Sequence, residues 1–397
     1  MLYRRFGRTE LNMPVFSCGG MRYQAKWQDI PLSEVPPENQ AHLEATIRHS
    51  VAVGVNHIET ARGYGSSERQ LGLVLPTFPR HEIIVQTKIG PEDDSELFRR
   101  NFMESLERLQ LDHVELLAIH GINDEGTLHQ SVRPGGCLEV ARQLQAQGLA
   151  KHLGFSTHGP TDIIVKAIET EAHGGFDYVN LHWYYILQKN WPAVLAARAR
   201  DMGVFIISPT DKGGMLYKPS DKLRELTAPV HPIIFNDLFC LDREEVHTLS
   251  LGAARPSDFD LHVEATTLFD RRHEILPPII ARLEAEMRRI MGDRYVDNYT
   301  KGLPSWEKVP HEVNIEVALW LFGLAKAYDM VEFAQMRYNL MGNAGHWFPG
   351  QQAKEIDDAA LAPLLVGSPL AGEIPGMLRD AHGILAKEPV KRLSEGG

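Results

Sequence analysis

The chain has 397 residues, of which 43% are hydrophobic and 23% charged, a globular composition that argues against extended disorder. It carries 41 Lys and Arg against 52 Asp and Glu, and the net charge of −11 disfavours nucleic-acid and anionic-membrane partners. Its three cysteines lie far apart, which disfavours a disulfide framework or a cysteine metal site and favours the cytoplasm.

In chain order, residues 2–14 predict a short hairpin with its turn at residues 7–9, and the charged N-terminus lacks the apolar core of a signal peptide. Apolar runs then alternate with helical patterns. The predicted strands are residues 13–21, 55–60, 82–89, 113–120, 150–157, 176–183, 204–210 and 246–253. The segments predicted to follow them are helices at 42–53, 67–75, 94–109, 136–147, 160–172 and 192–202, a looser region at 232–241, and a helix from 257 onward.

Eight successive strand–helix units favour a closed (β/α)8 TIM barrel, an α/β fold of about 250 residues. The alternative is a doubly wound open sheet, which usually carries a G-x-G-x-x-G pattern after its first strand. Here Cys18-Gly19-Gly20 stands at that point, so we predict the barrel, over residues 1–275. From Leu276 the pattern is helical only, which predicts an α-helical C-terminal extension over residues 276–397.

Polar side chains follow three consecutive predicted strands. Glu59 lies at the end of the second strand and Tyr64 just past it, Lys88 ends the third and His120 ends the fourth. The C-terminal ends of the strands form the rim where TIM-barrel active sites lie, so we expect these residues to meet. A phenol with its ordinary pKa near about 10 is a poor acid at neutral pH, and a nearby ammonium would lower that pKa. The sequence thus predicts proton delivery to a carbonyl.

Structural explanations compete with these roles. Tyr64 could cap the helix that begins near Ser67, and Lys88 could be an ordinary strand-end lysine. His120 could be a satisfied structural histidine. Glu68 is interpreted as a first-turn carboxylate favoured by the helix dipole.

The segments GVNHIETARGYGSSERQLG, IIVQTK, LQLDHVELLAIHG, GLAKHLGFSTH and TLSLGAARPSDF occur in an order that resembles the aldo-keto reductase superfamily, over roughly residues 1–269. The resemblance implies a barrel that binds NADPH without a Rossmann fold and reduces a small carbonyl compound. It implies that Tyr64 is the general acid and that Lys88 tunes it. Glu59 would be the partner of Lys88, and His120 the donor that polarises the carbonyl.

Two departures from the family pattern stand out. The family usually has Asp where this chain has Glu59, and a misplacement on the order of 1 Å can cost about 100-fold in rate. The fuller resemblance is to a branch with a C-terminal iron–sulfur ferredoxin-like segment, yet no cysteine follows Cys240. Because such clusters need cysteine ligands, we interpret residues 276–397 as a degenerate ferredoxin-like segment and expect no metal.

Residues expected to hold the cofactor follow the later strands. The resemblance places the nicotinamide carboxamide at two strand-end residues, for which polar capping is the alternative. Residues 252–257 open a helix, whose free N–H groups with Arg255 predict a phosphate site that favours NADPH over NADH. Lys212 would border the pyrophosphate or be a surface lysine. The predicted cofactor-binding residues are Ser156, Asn180, Lys212, Gly252, Arg255 and Ser257.

Two functions remain open at this point. The first is NADPH-dependent reduction of an aldehyde or ketone, with a small-molecule carbonyl as substrate. The second is a non-catalytic NADPH-binding barrel that acts as a redox-sensing or regulatory interaction protein, which Glu59 and the degenerate segment motivate. The sequence fixes neither the carbonyl compound nor the oligomeric state.

Overall fold

The computed structural model describes residues 1–342 and 348–388. Residues 343–347 and 389–397, which include part of the predicted extension, lie outside the described residues. The chain divides into two compact units. The first comprises residues 1–213 and 233–272, and the second comprises residues 214–232 and the described residues from 273 onward.

An antiparallel hairpin of β1 (Tyr3–Arg5) and β2 (Asn12–Pro14) opens the first unit. Eight parallel strands then pair in chain order, and the last pairs with the first to close a barrel. The barrel strands are β3 (Phe16–Gly19), β4 (His57–Glu59), β5 (Ile84–Ile89), β6 (Val114–His120), β7 (Ala150–Ser156), β8 (Tyr178–Leu181), β9 (Gly203–Ile207) and β10 (Thr248–Leu251). The predicted (β/α)8 barrel is confirmed.

Helices connect the barrel strands. They are α1 (Pro37–Ala52), α2 (Ser67–Leu71), α3 (Ser95–Leu109), α4 (Glu125–Val132), α5 (Cys137–Ala146), α6 (Thr161–Glu169), α7 (Trp191–Ala199), α9 (Pro232–Leu241) and α10 (Asp260–Leu268), with α8 (Asp221–Thr227) in the second unit. The short α4 was not predicted. It begins at a capping box in which the Asp124 side chain accepts from the Thr127 N–H.

Residues 232–241 are a full helix and not the looser region that the sequence predicted. This segment, PIIFNDLFCL, is buried along almost its whole length. Its apolar residues lie on every face and are interrupted only by Asn236 and Asp237, so the helix shows no clear amphipathic period. The helical pattern was therefore hidden from sequence reasoning.

The register of the barrel decides which side chains share its interior, because paired residues on neighbouring strands point the same way. The relevant pairs are Gly19 with Glu59, Glu59 with Gln86, Lys88 with Ala118, His120 with Ser156 and Ser156 with Asn180. Alternate residues of one strand also share a face. Residues 59, 88, 120, 156 and 180 therefore all face the interior, near the C-terminal ends of their strands.

The hairpin fills the barrel interior at the N-terminal ends of the strands. Phe6 and Met13 are fully buried and cluster with Leu116 and Tyr178. The ring of Phe6 lies 5.7 Å from that of Tyr178. A Cβ at Gly203 would lie 2.6 Å from the Phe6 ring, so glycine makes room for this aromatic plug. Polar side chains are left to the opposite end of the interior.

A buried histidine inside the barrel should make stability depend on pH. His57 is fully buried with its Nδ1 2.6 Å from Ser17 Oγ, and burial, aided by the charge of Lys88, lowers the pKa of His57 to about 3. An unfolded histidine titrates near about 6.5. The stability that neutral His57 contributes is therefore present above that pH, and it is lost as pH falls toward the folded pKa, because only the unfolded chain takes up the proton.

We expect His57→Asn to lose less stability than wild type as pH falls from about 6.5 to about 4. Denaturant unfolding at several pH values measures this, with the exposed His81→Asn as the matched control. Equal acid sensitivity of wild type and His57→Asn would contradict the expectation.

The second unit is built from helices. Besides α8 it contains α11 (Arg272–Met291), α12 (Asp293–Asn298), α13 (Ile315–Tyr328), α14 (Val331–Tyr338), α15 (Asp358–Leu361) and α16 (Ile374–Leu385). Helix α13 packs on α14 and α16. The hydroxyl of Tyr328 donates to the Leu283 carbonyl at 3.0 Å, which ties α13 to α11. None of the helices in the described residues combines the length and the apolar character that a membrane span requires.

Candidate active site

The structure brings together the four residues that the sequence predicted as catalytic. Glu59 ends β4, Lys88 lies in β5 and His120 ends β6. Tyr64 lies in the loop between β4 and α2. Lys88 is 1% exposed and Glu59 is 3% exposed, so a charged pair lies inside the barrel.

The ammonium of Lys88 has three acceptors within the site. Its Nζ forms a salt bridge with Oε1 of Glu59. It donates to the carbonyl oxygen of Thr60 at 2.8 Å and to the hydroxyl oxygen of Tyr64 at 3.2 Å. An ammonium has three donors, and each is used. Lys88 is therefore not an exposed strand-end lysine.

The side chain of Tyr64 lies among polar and aromatic neighbours. Its ring is edge-on to the ring of His120 at 5.6 Å and to that of Trp27 at 6.0 Å. The loop that carries it turns at Gly65, which has φ +54°, and a Cβ there would lie 2.0 Å from the Lys26 carbonyl oxygen. Only glycine satisfies both conditions. The tight turn orients the phenol toward Lys88.

Burial acts in opposite directions on the phenol and the ammonium. It raises the pKa of Tyr64 above its usual range and lowers the pKa of Lys88 well below its own. The Glu59 carboxylate in contact with Lys88 Nζ opposes the second shift because it favours the charged amine. The same carboxylate neutralises much of the ammonium's field at the phenol. The phenol is therefore protonated at neutral pH, and the lowering of the Tyr64 pKa by Lys88 stays a prediction.

The helix dipole favours an acidic residue in the first turn of a helix, where such a residue is usually exposed to solvent. Glu68 is in the first turn of α2 but is not exposed. It is fully buried and accepts from the hydroxyls of Thr87 at 2.6 Å and Ser105 at 3.0 Å. Burial raises the pKa of its carboxyl group. The contacts tie α2 to β5 and α3, which makes Glu68 a structural residue.

Ser156 and Asn180 are register partners at the ends of β7 and β8, and both are buried. Neither Nδ2 nor Oδ1 of Asn180 has a hydrogen-bond partner in the described part of the chain. A buried amide without partners is costly. A carboxamide offers both a donor and an acceptor, so this strand end fits the amide group of a nicotinamide.

The predicted phosphate site after β10 already contains a carboxylate. Asp258 accepts from Nε of Arg255 at 2.9 Å through one oxygen and from the Ala254 N–H at 2.9 Å through the other. Ser257 is exposed on the same turn, Pro256–Phe259. A phosphate would have to share these donors with Asp258 or displace it.

The remaining predicted cofactor residues lie in loops. Gly252 follows β10, and a Cβ there would lie 3.1 Å from Cδ of Arg22, so the Arg22 side chain lies beside the predicted phosphate site. Lys212 lies in the loop after β9 and is partly exposed. Within residues 1–342 and 348–388, no group of three or more His, Cys, Asp or Glu side chains is arranged to hold a metal ion.

Sequence reasoning missed two residues of the site, Ser250 and Asp258. The hydroxyl of Ser250 donates to Oε2 of Glu59 at 3.3 Å. The signal that could have found it is alternation along β10, which puts residues 248 and 250 on one face of an otherwise apolar strand. The signal that could have found Asp258 is its spacing: an acidic residue three positions after Arg255, in a first helical turn, is placed to pair with that arginine.

The chain is similar to known proteins in sequence and in fold. Residues 16–229, more than half of the chain, match the Aldo/keto reductase family. The chain is similar to L-galactose dehydrogenase of Arabidopsis thaliana, with 31% identity over 215 residues that cover 52% of this chain and 63% of that protein. It is also similar to pyridoxine 4-dehydrogenase of Escherichia coli K12, with 27% identity over 139 residues that cover 32% of this chain and 49% of that protein.

The chain thus spans about half to two thirds of the length of these curated relatives. Among solved structures it is similar to an aldo-keto reductase from Bacillus halodurans, with a TM-score of 0.56 and 17% identity over 70% of this chain and 97% of that one. The structural likeness shows the barrel fold, and the family match covers β3 to β9. The chain therefore belongs to the aldo/keto reductase family.

Proposed function

We propose that the protein reduces an aldehyde or ketone to an alcohol with NADPH, and that Tyr64 is the general acid. The observation that carries this proposal is the 3.2 Å hydrogen bond between Lys88 Nζ and the Tyr64 hydroxyl, beside the buried carboxylate of Glu59. A protonated phenol backed by an ammonium is a proton donor whose conjugate base is stabilised.

A nicotinamide, when bound, would supply the hydride for the carbonyl carbon. The hydroxyl of Tyr64 donates its proton to the carbonyl oxygen, which leaves a phenolate. Lys88, already hydrogen-bonded to that oxygen, stabilises the new negative charge, and Glu59 keeps Lys88 in its charged form. His120, edge-on to the Tyr64 ring, donates to the carbonyl oxygen and orients the substrate.

The cofactor would lie across the strand ends. Ser156 and Asn180 would hold its carboxamide, because their buried polar groups face the same interior as Lys88. Gly252, Arg255 and Ser257 would hold the adenosine phosphate end. The pyrophosphate would lie near Lys212. Arg255 is the reason for proposing NADPH, because its guanidinium suits a 2′-phosphate.

Asp258 should limit the preference for NADPH, since its carboxylate occupies the donors that a phosphate needs. We expect Asp258→Asn to tighten NADPH binding by about tenfold, equivalent to about 1.4 kcal/mol, and to change NADH binding little. Fluorescence titration with both dinucleotides measures the two dissociation constants. Asp260→Asn removes an equal charge from the start of α10 and serves as the control. An NADPH affinity unaltered by Asp258→Asn would show that the phosphate lies elsewhere.

The proposed function is tested by titrating the protein with NADPH and NADH and then adding a panel of aldehydes and ketones. We expect binding followed by oxidation of the dinucleotide. Binding without turnover of any carbonyl would favour the second candidate, a non-catalytic NADPH-binding barrel. The departure from aspartate at position 59 was one reason to consider that candidate. The salt bridge between Glu59 and Lys88 weakens that reason. We propose that residues 276–397, a degenerate ferredoxin-like segment without cluster ligands, keep a packing role.

A further inference from the structure

The two oxygens of the Glu59 carboxylate have different partners on opposite sides. Oε1 contacts Lys88 on β5, and Oε2 accepts from the Ser250 hydroxyl on β10 at 3.3 Å. Strand β3 lies between β4 and β10 in the barrel, so the contact between Glu59 and Ser250 crosses over it. Ser250 is 7% exposed, and this hydrogen bond is therefore made inside the barrel.

Gly19 on β3 makes this crossing possible. A Cβ at position 19 would lie 2.7 Å from Ser250 Oγ and 3.2 Å from Glu59 Oε2. It would also lie 2.9 Å from the carbonyl oxygen of Leu251. The φ of Gly19 is not in the left-handed region, so glycine is needed here for space and not for backbone conformation. The glutamate and the serine meet in the volume that a larger residue would fill.

A glutamate has one more rotatable bond than an aspartate, so its carboxylate can occupy more positions. Lys88 fixes only one of its oxygens. The other oxygen lies 3.3 Å from the Ser250 hydroxyl, in the space that Gly19 leaves open. The Ser250 hydroxyl therefore restrains the torsion that the longer side chain adds.

We propose that Ser250 is a positioning residue for the proton donor. It holds Oε2 of Glu59, which keeps Oε1 on Lys88 and so keeps the ammonium charged and hydrogen-bonded to Tyr64. Gly19 and Ser250 together allow a glutamate at position 59 to perform the charge-pairing role. The catalytic consequence rests on the proposed carbonyl reduction, whereas the hydrogen bond itself does not.

The test is a double-mutant cycle of Ser250→Ala and Glu59→Asp. In the wild-type background we expect Ser250→Ala to lower kcat about tenfold with KM nearly unchanged, since a small displacement of a catalytic group has effects of this size or more. The high-pH decline of kcat should also move to lower pH. Activity requires charged Lys88 and is lost as pH rises through the pKa of Lys88. That pKa falls when the Glu59 carboxylate is held less firmly beside the ammonium.

In the Glu59→Asp background, Ser250→Ala should change neither kcat nor the pH profile, because we expect the shorter carboxylate to lie out of reach of Ser250. Ser17→Ala is the matched control, since it removes another hydroxyl from the barrel interior that hydrogen-bonds His57 and Thr248 instead. Ser17→Ala should leave the pH dependence of kcat unshifted. An unshifted profile in Ser250→Ala, or equal effects in both backgrounds, would overturn the proposal.

Unfolding of the same four proteins in denaturant provides a readout that does not need turnover. Ser250→Ala should lower the unfolding midpoint in the wild-type background and leave it unchanged in the Glu59→Asp background. If no carbonyl is reduced by the wild type, the proposed function fails, and this cycle alone decides whether Ser250 holds Glu59. Additive midpoint changes would show that the two side chains are not coupled.

Discussion

Tyr64→Phe is expected to lower kcat for carbonyl reduction by about 10²–10⁴-fold, the range that a positioned general acid contributes. The substitution removes only the hydroxyl that accepts from Lys88 at 3.2 Å. The ring keeps its edge-on contacts with Trp27 and His120, so the loop should stay folded. Steady-state kinetics measures kcat, and fluorescence titration should show unaltered NADPH binding.

Tyr178→Phe is the matched control for this substitution. Tyr178 is fully buried in the barrel, whereas Tyr64 is half-buried, and the Tyr178 hydroxyl has no hydrogen-bond partner among the described residues. Removing that hydroxyl should leave kcat within about twofold of wild type, because it takes part in no proton transfer. Full activity in Tyr64→Phe would assign the acid to another group.

Lys88→Met should have the second large effect, on both stability and activity. It leaves the Glu59 carboxylate buried without its counter-charge, and breaking a buried ion pair on one side costs about 3–5 kcal/mol. It also removes the charge that stabilises the Tyr64 phenolate, so kcat should fall with the stability. Denaturant unfolding and steady-state kinetics measure the two losses.

The double variant Lys88→Met/Glu59→Leu separates these two effects. Replacing both members of a buried pair by apolar residues removes the unpaired charge and is often neutral. We expect the double variant to recover most of the stability and none of the activity. A single Lys88→Met variant that is as stable as wild type would show that Glu59 takes up a proton or finds another counter-charge.

The barrel was predictable from the sequence because eight short runs, apolar enough to be buried, alternate with helical patterns along the chain. The convergence of residues 59, 88 and 120 followed from one rule, that the C-terminal ends of parallel strands lie at one rim. The structure places these side chains together, and their catalytic roles remain predictions. The pairing of Glu59 with Lys88 needed only charge and strand order.

What the sequence could not show depends on contacts between distant segments. Ser250 meets Glu59 only because β10 pairs with β3, and the absence of a side chain at Gly19 decides whether the contact fits. Asp258 is an acidic residue in a first helical turn, and only its contacts with the Ala254 N–H and Arg255 led to the proposal that it competes with a phosphate. Burial raises the pKa of Tyr64 through packing by distant segments, which no local sequence pattern reports.

A ring of eight paired strands has no edge at which a change in length could be absorbed. Deleting one residue within β5 would turn the Lys88 side chain from the interior to the helical layer, since the faces of a strand alternate. Insertions and deletions during divergence must therefore accumulate in the connections between strands and helices. New substrates would be acquired by remodelling those connections, while strand lengths stay constant.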